Sequence, residues 1–255
     1  MSVCEIERHE DVTIFRLNRP PANAIDLEFA NQIEAAFAEL TATSGGRAIV
    51  VTGTGGCFSA GLDLKKVPRY SAAEQRTMVS VLNRMIGRLY ACPVPVVAAV
   101  NGHAIAGGLV LALACDYRVG TNAPCKIGLT EARAGIPFPA AAMAVVRAEL
   151  TPAAARVLTL CASNIDAPAA LAAGVVDELQ PPEHVLPAAL RVARDLAGIP
   201  AAAYTRIKHQ LRASAIGVIE DRVARGTDPL LDSWLTSDAA RASAALLHGD
   251  ADTSR

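Results

Sequence analysis

A pair of glycines at the start of an apolar helical pattern is the first feature with the potential to do chemistry. The stretch NGHAIAGGLVLALACD, residues 101–116, places Gly107 and Gly108 where the helix should begin, with no acid or nucleophile there. Glycine lets a ligand or another backbone segment approach closely, and the free N–H groups of a first helical turn carry partial positive charge. The stretch therefore favours a site for an oxyanion. The alternative is that the glycines only let the helix pack against a strand.

A second glycine-containing loop lies earlier in the chain. The stretch VVTGTGGCFSAGLDLKK, residues 50–66, runs from a buried strand through a turn into SAGLDL. Gly61 predicts unusual backbone angles, which would turn the N–H of Leu62 inward. If the N–H groups of Leu62 and Gly107 face one carbonyl oxygen, they form an oxyanion hole from main chain alone. A phosphate-binding loop is the rival interpretation, and it lacks the G-K-[ST] ending of a P-loop.

The segments that would position these loops alternate between strand and helix patterns. This alternation predicts parallel strands with helices packed on them and right-handed crossovers. From residue 139 onward the chain is mostly alanine-rich helix, and thin apolar faces on such helices favour packing on the first half or on another subunit. The predicted extended segments are 11–18, 47–53, 95–102, 117–120, 125–128 and 174–180, and the predicted helices include 27–40, 73–90 and those within 183–248.

Composition excludes several classes of protein. The formal net charge is -1, so the basic surface needed to bind nucleic acid through its phosphates is missing. The six cysteines form no C-x-x-C pair, which predicts free thiols and no metal site. The N-terminus is charged from residue 5 and the apolar runs are too short to cross a bilayer. We therefore expect a cytoplasmic protein that binds neither nucleic acid nor membrane.

Five segments, in this order along the chain, together resemble the crotonase (enoyl-CoA hydratase/isomerase) superfamily. The resemblance implies an α/β fold, a crotonase-like spiral of ββα units with a C-terminal helical layer used in trimerisation. It implies a crotonase-fold core over 1–195, a helical region over 196–255, and a homotrimer or dimer of trimers. The segments are RPPANAIDLEFANQIEAAF, FSAGLDL, VNGHAIAGGLVLALACDYRV, IGLTEARAGIP and ALAAGVVDEL.

The same resemblance implies an acyl-CoA thioester as substrate, with coenzyme A as part of that substrate and no separate cofactor. By position, the oxyanion-hole donors would be the N–H groups of Leu62 and Gly107. Basic residues are ambiguous, because each could meet a CoA phosphate or belong to a solvated face; these are Lys65, Lys66, Arg206, Lys208 and Arg212. The residues implied to contact CoA are Ala22, Ala24, Ala60, Gly61, Asp63 and Leu64.

The acids around the implied site select the reaction. Family hydratases resemble one another in carrying a glutamate at the position that is Val110 here, while their second glutamate matches Glu131. Moving a double bond from C3 to C2 needs one base, which takes a proton from C2 and returns one to C4. The single glutamate therefore resembles the pattern of Δ3,Δ2-enoyl-CoA isomerases, with Glu131 as the catalytic base. The structural alternative for Glu131 is a solvated loop charge or a helix N-terminal carboxylate.

Other activities and other residues stay open at this point. An enoyl-CoA hydratase or acyl-CoA hydrolase could use Glu131 with a bound water, and a catalytically silent acyl-CoA-binding protein is a further alternative. His103 is predicted to be a structural histidine and Asp116 a buried, hydrogen-bonded acid. Trp234 and Phe138 could line the acyl tunnel or belong to the core.

Overall fold

The computed structural model describes residues 4–42, 47–226, 228, 234 and 237–252. Its strands are β1 (Cys4–His9), β2 (Val12–Leu17), β3 (Ala48–Gly53), β4 (Cys57–Ser59), β5 (Val96–Val100), β6 (His103–Ile105), β7 (Tyr117–Thr121), β8 (Ile127–Gly128), β9 (Asn164–Ile165) and β10 (Glu178–Gln180). Its helices are α1 (Leu27–Ala42), α2 (Ala72–Tyr90), α3 (Gly107–Leu113), α4 (Glu131–Ala134), α5 (Ala140–Glu149), α6 (Pro152–Ala155), α7 (Ala167–Ala172), α8 (Pro182–Ala197), α9 (Ala201–Arg225) and α10 (Ser237–Asp252).

The larger sheet has the strand order β1-β2-β3-β5-β7-β10. All neighbouring pairs from β2 to β10 are parallel, which confirms the prediction from the strand–helix alternation. The exception is β1, which pairs antiparallel with β2 in a hairpin that the sequence analysis missed. This edge strand is largely exposed and its sequence is CEIERH, so it lacks the apolar alternation that reveals a half-buried strand.

The smaller sheet has the strand order β4-β6-β8-β9, with β4, β6 and β8 mutually parallel and β9 antiparallel to β8. Each of the three parallel strands follows a strand of the larger sheet along the chain and precedes a helix. The units β3-β4-α2, β5-β6-α3 and β7-β8-α4 therefore repeat one ββα arrangement. The expected spiral of ββα units is confirmed.

Helices cover both faces of the larger sheet. Helix α8 packs on β3, β5 and β7, while α1, α2, α5 and α9 pack with one another in a helical layer. No helix in the described ranges is both long and apolar enough to cross a membrane. The division at residue 195 and the role of the last helices in trimerisation stay predictions.

A buried ionic cluster attaches α9 to the first half of the chain. Asp116 accepts hydrogen bonds from the N–H of Val96 at 2.7 Å and from Lys208 Nζ at 2.8 Å, and it pairs with Arg212 at 2.9 Å. The prediction of a hydrogen-bonded acid is confirmed, and the side chain of Asp116 is largely buried, with 9% exposed. Lys208 and Arg212 are each only 6% exposed, so they lie inside the protein, and neither belongs to a solvated surface or is accessible to CoA phosphates. Arg206 is exposed.

Candidate active site

The candidate active site lies at one edge of the smaller sheet. Parallel strands that are neighbours end at the same edge, and β4, β6 and β8 are such strands. Leu62, Gly107 and Glu131 each follow the end of one of these strands by two or three residues. All three residues line one cavity of about 890 Å³. The repeated ββα unit thus brings together three residues that are far apart in the sequence.

Leu62 is oriented by a short backbone pairing with Ile25. The N–H of Ile25 donates to the carbonyl of Gly61 at 2.7 Å, and the N–H of Asp63 donates to the carbonyl of Ile25 at 2.9 Å. In a parallel bridge of this kind, the residue between the two bonded neighbours directs its own N–H to the opposite side. Gly61 has a φ of +76°, as its position in the loop predicted. The N–H of Leu62 therefore points away from Ile25.

The start of α3 supplies the second N–H group. Ala106 has a φ of +53°, an uncommon value for a residue with a side chain, and this sharp turn opens the helix at Gly107. A Cβ placed on Gly61 would lie only 2.7 Å from the N atom of Gly107, so the two backbones are in contact. Among the described residues, none accepts a hydrogen bond from the N–H of Leu62 or of Gly107. Two free main-chain donors thus border the same cavity.

The two glycines of α3 have different functions. A Cβ on Gly108 would lie 2.1 Å from the carbonyl oxygen of Ser59, so Gly108 allows the helix to pack on β4. A Cβ on Gly107 would meet only Gly61 Cα, at an ordinary 3.6 Å. The packing interpretation therefore applies to Gly108, and Gly107 is the residue that borders the cavity.

Glu131 is a buried carboxyl group in the wall of this cavity. It is the first residue of α4 and is 8% exposed, so the interpretation as a solvated loop charge is wrong, although it does lie at a helix N-terminus. Its Oε2 atom is buried without a hydrogen-bond partner among the described residues. Burial raises the pKa of Glu131 to about 8, against a smaller lowering effect of its own backbone N–H. A carboxyl group with this pKa can take up and release a proton near neutral pH.

Apolar side chains also line the cavity. Val110 of α3 is 1% exposed and lines the cavity. The position that holds a glutamate in hydratases of the family is therefore filled here by a buried valine. Trp234 is fully buried and its Nε1 donates to the carbonyl of Pro137 at 2.9 Å, while Phe138 is half-buried. Both aromatic residues line the cavity, together with Leu82, Met85 and Ile86 of α2.

Most of the residues expected to contact CoA lie at the cavity. The exception is Gly61, which is buried against Gly107 and does not itself line the cavity. The exposed Lys65 borders the cavity, whereas Lys66 is paired with Asp26 at 2.8 Å. The expected contact residues that line it are Ala22, Ala24, Ala60, Asp63 and Leu64.

His103 is a structural residue, as predicted. Its Nδ1 accepts a hydrogen bond from the backbone N–H of Lys126 at 2.9 Å, and the cavity wall does not include it. The His103 ring thus connects β6 by a hydrogen bond to the segment before β8.

Asp26 is the residue near the site that the sequence analysis missed. Its carboxylate is 3% exposed and accepts from the N–H of Phe29 at 2.9 Å, from Arg19 at 2.6 Å and from Lys66 at 2.8 Å. Burial alone would raise the pKa of Asp26, but the hydrogen bonds from Lys66 and Phe29 and the charge of Arg19 outweigh it, so the pKa is lowered. Because Asp26 directly precedes a helical pattern, the sequence could have predicted that it caps the start of that helix. The spacing of Arg19 and Lys66 from Asp26 in the sequence does not predict that they pair with it.

The ββα spiral, with its helical layer and a free pair of main-chain donors beside a buried carboxyl group, defines an α/β protein of the crotonase fold. Beyond the fold, the sequence itself matches the family model for enoyl-CoA hydratase/isomerase over residues 7–240. The chain belongs to that family, whose members act on acyl-CoA thioesters.

Solved structures of similar proteins carry the names of both activities. Human mitochondrial delta3-delta2-enoyl-CoA isomerase is 26% identical with a TM-score of 0.90, and the match covers 100% of both chains. The Mtb enoyl-CoA isomerase is 30% identical with a TM-score of 0.80, covering 88% of this chain and 98% of that one. The enoyl-CoA hydratase EchA3 from Mycobacterium ulcerans Agy99 is 30% identical with a TM-score of 0.81, covering 88% and 99%. These relatives therefore support the family, and their names do not distinguish an isomerase from a hydratase.

Proposed function

We propose that this protein is a Δ3,Δ2-enoyl-CoA isomerase with Glu131 as its single catalytic base. The observation that carries the proposal is a buried Oε2 of Glu131 that shares a cavity with the N–H groups of Leu62 and Gly107, none of the three having a hydrogen-bond partner within the described part of the chain. Val110 places an apolar side chain where a second carboxylate would be needed to handle a water molecule. One base beside an oxyanion hole suffices for moving a double bond and not for a two-carboxylate hydration.

The reaction follows from this arrangement in two proton transfers. The thioester oxygen accepts hydrogen bonds from Leu62 and Gly107, which stabilises the negative charge that develops on it. The carboxylate of Glu131 takes a proton from C2, and the electron pair left behind forms a dienolate with the C3–C4 double bond. Glu131 then returns a proton to C4, which leaves the double bond between C2 and C3 and regenerates the carboxylate. No cofactor takes part, because coenzyme A is carried by the substrate.

Incubation with a 3-enoyl-CoA tests the reaction type. We expect the ultraviolet absorbance of a conjugated 2-enoyl thioester to grow, with no free thiol and no 3-hydroxyacyl-CoA accumulating. Release of free CoA would assign a hydrolase instead, and conversion of 2-enoyl-CoA to 3-hydroxyacyl-CoA would assign a hydratase. Tight binding across an acyl-chain series without turnover would identify a silent binding protein. Each of these three results contradicts the proposal.

The pH dependence of kcat/KM follows from the raised pKa of Glu131. The free enzyme needs the carboxylate form to take the C2 proton, and that form is lost as the pH falls below about 8. We expect kcat/KM to rise with pH through this value, with activity at pH 6 about 100-fold below the plateau, since each unit below the pKa costs about tenfold. Initial rates with 3-enoyl-CoA between pH 6 and 9 measure the profile. A profile that stays flat over this range, as a base with the ordinary pKa of about 4.5 would give, contradicts a buried base with a raised pKa.

A homotrimer or a dimer of trimers is part of the proposal. Support comes from α9, where Ile207, Leu211 and Val218 lie on one face at helical spacing and are 62%, 84% and 47% exposed. Apolar side chains in such a row favour contact with another subunit. Placement in the cytoplasm stays a prediction from the sequence.

A further inference from the structure

We propose that Asp26 is a positioning residue for the oxyanion hole, which it holds in shape by tying together the two segments that orient Leu62. The inference rests on the proposed function in one respect, namely that the N–H groups of Leu62 and Gly107 bind a thioester oxygen. It adds a residue that need not touch the acyl-CoA.

Asp26 is covalently next to the residue that orients Leu62. Ile25 accepts from Asp63 and donates to Gly61, so the position of Ile25 fixes the direction of the Leu62 N–H. The carboxylate of Asp26 also accepts from the N–H of Phe29 and caps the start of α1. The Ile25–Asp26 backbone is therefore held between a helix on one side and the donor loop on the other.

The carboxylate of Asp26 also binds one cationic side chain from each of the two segments. Its Oδ2 accepts from Arg19 at 2.6 Å and from Lys66 at 2.8 Å. Arg19 also donates to the carbonyl of Ala24 at 2.7 Å, just before Ile25, and the N–H of Lys66 donates to the carbonyl of Asp63, just after Leu62. Charge-assisted hydrogen bonds of a buried carboxylate are stronger than neutral ones. Asp26 thus joins the segment around Ile25 to the segment around Leu62 through its ion pair with Lys66. Its second partner, Arg19, also lies 3.6 Å from the carboxylate of Asp63, so Asp26 holds Arg19 where it can meet that segment as well.

Replacing Asp26 by asparagine tests the ion pairs of Asp26 separately from its hydrogen bond to the start of α1. Asparagine is as good an N-cap as aspartate, so Asp26→Asn keeps the bond to Phe29 while removing the charge that holds Arg19 and Lys66. The loop around Leu62 loses its ion pair with Asp26, and a donor displaced by about 1 Å costs on the order of 10²-fold in rate. Lys66 then loses its paired carboxylate, while Arg19 keeps only the longer pair with Asp63 at 3.6 Å, and the added positive charge favours the CoA phosphates. We expect kcat to fall by about 10- to 100-fold while KM stays the same or decreases.

The experiment measures kcat and KM with 3-enoyl-CoA and the carbonyl stretching frequency of a bound saturated acyl-CoA labelled with ¹³C at the thioester. In the wild type, we expect binding to lower this frequency, because the hole polarises the carbonyl. In Asp26→Asn the frequency returns toward that of free acyl-CoA. The matched control is Asp166→Asn, since Asp166 caps α7 through the N–H of Ala169 at 2.9 Å, is exposed and lies outside the cavity wall. It should leave both measurements unchanged.

Each result separates the two proposals. A wild-type shift that Asp26→Asn fully retains, with unchanged kcat, overturns the positioning role and leaves the proposed function intact. A raised KM with unchanged kcat also overturns it, since Asp26 would then serve CoA binding. A wild type without any carbonyl shift overturns the oxyanion hole and both proposals with it. Should Asp26→Asn fail to fold, Lys66→Met removes one tie without touching the cap, and an unchanged carbonyl frequency in that variant overturns the inference.

Discussion

We expect Glu131→Gln to lower turnover of 3-enoyl-CoA by at least ~10² to 10⁴-fold, the range expected for loss of a general acid–base group. The amide has the shape of the carboxyl group but cannot take the C2 proton. Affinity for acyl-CoA should change little, because binding rests mainly on the loop backbone and the CoA arm. The fold should also be retained, since the cavity already favours an uncharged side chain at this position, as the raised pKa of Glu131 indicates. Turnover of 3-enoyl-CoA and calorimetric titration with a saturated acyl-CoA measure the two quantities.

The control for this variant is Glu183→Gln, which makes the same change in the first turn of α8, at an exposed position outside the cavity wall. It should retain wild-type turnover. If Glu131→Gln keeps most of its activity, the single-base mechanism is wrong and another group near Gly107 must be the base.

Gly61→Ala lowers turnover by about 10² to 10³-fold, the cost of losing one oxyanion-hole donor. The new Cβ would lie 2.7 Å from the N atom of Gly107 and 2.9 Å from the carbonyl oxygen of Ile105, so one of the two backbone segments must move. The φ of +76° adds strain, because a residue with a Cβ disfavours that region. Both donors flank this contact, so the hole loses its shape even when the rest of the chain folds normally. Turnover of 3-enoyl-CoA and the melting temperature are the measurements.

Gly174→Ala is the matched control. Gly174 has a φ of +69° but is exposed, and a Cβ on it meets nothing within 4 Å. Both variants therefore carry a similar backbone penalty, of about 1–2 kcal/mol, while only Gly61→Ala disturbs the site. Equal turnover in the two variants, at wild-type level, contradicts the assignment of the hole to Leu62 and Gly107.

Much of the fold could be predicted from the sequence because its elements carry strong local patterns. The segment 47–53 is an apolar run and became β3, and the amphipathic pattern of 73–90 became α2. β1 was missed because an exposed edge strand buries little and so needs no apolar period. The short strands β4, β6 and β8 were not predicted as one sheet, since strands of two or three residues leave no periodic signal.

The candidate site was predicted only in part. The resemblance pointed to Glu131, and the glycines pointed to Leu62 and Gly107. Sequence could not reveal that Oε2 of Glu131 is buried without a hydrogen-bond partner among the described residues, because the cavity it borders is lined by α2, α3 and the segment at Trp234, which are distant in the chain. Asp26 was missed for the same reason, since one of its two cations lies forty residues away.

The two donors at the cavity belong to the main chain, and this has a consequence for how the protein can change over generations. A substitution replaces a side chain and leaves the amide N–H in place, so under the proposed mechanism a mutation at position 62 or 107 does not remove the activation of the thioester unless it displaces the backbone or introduces proline. The residues at 110 and 131 carry no such protection, and in the proposed mechanism it is their side chains that select the proton transfer. Selection for a different reaction can therefore act on a few side chains while carbonyl activation is inherited with the fold itself.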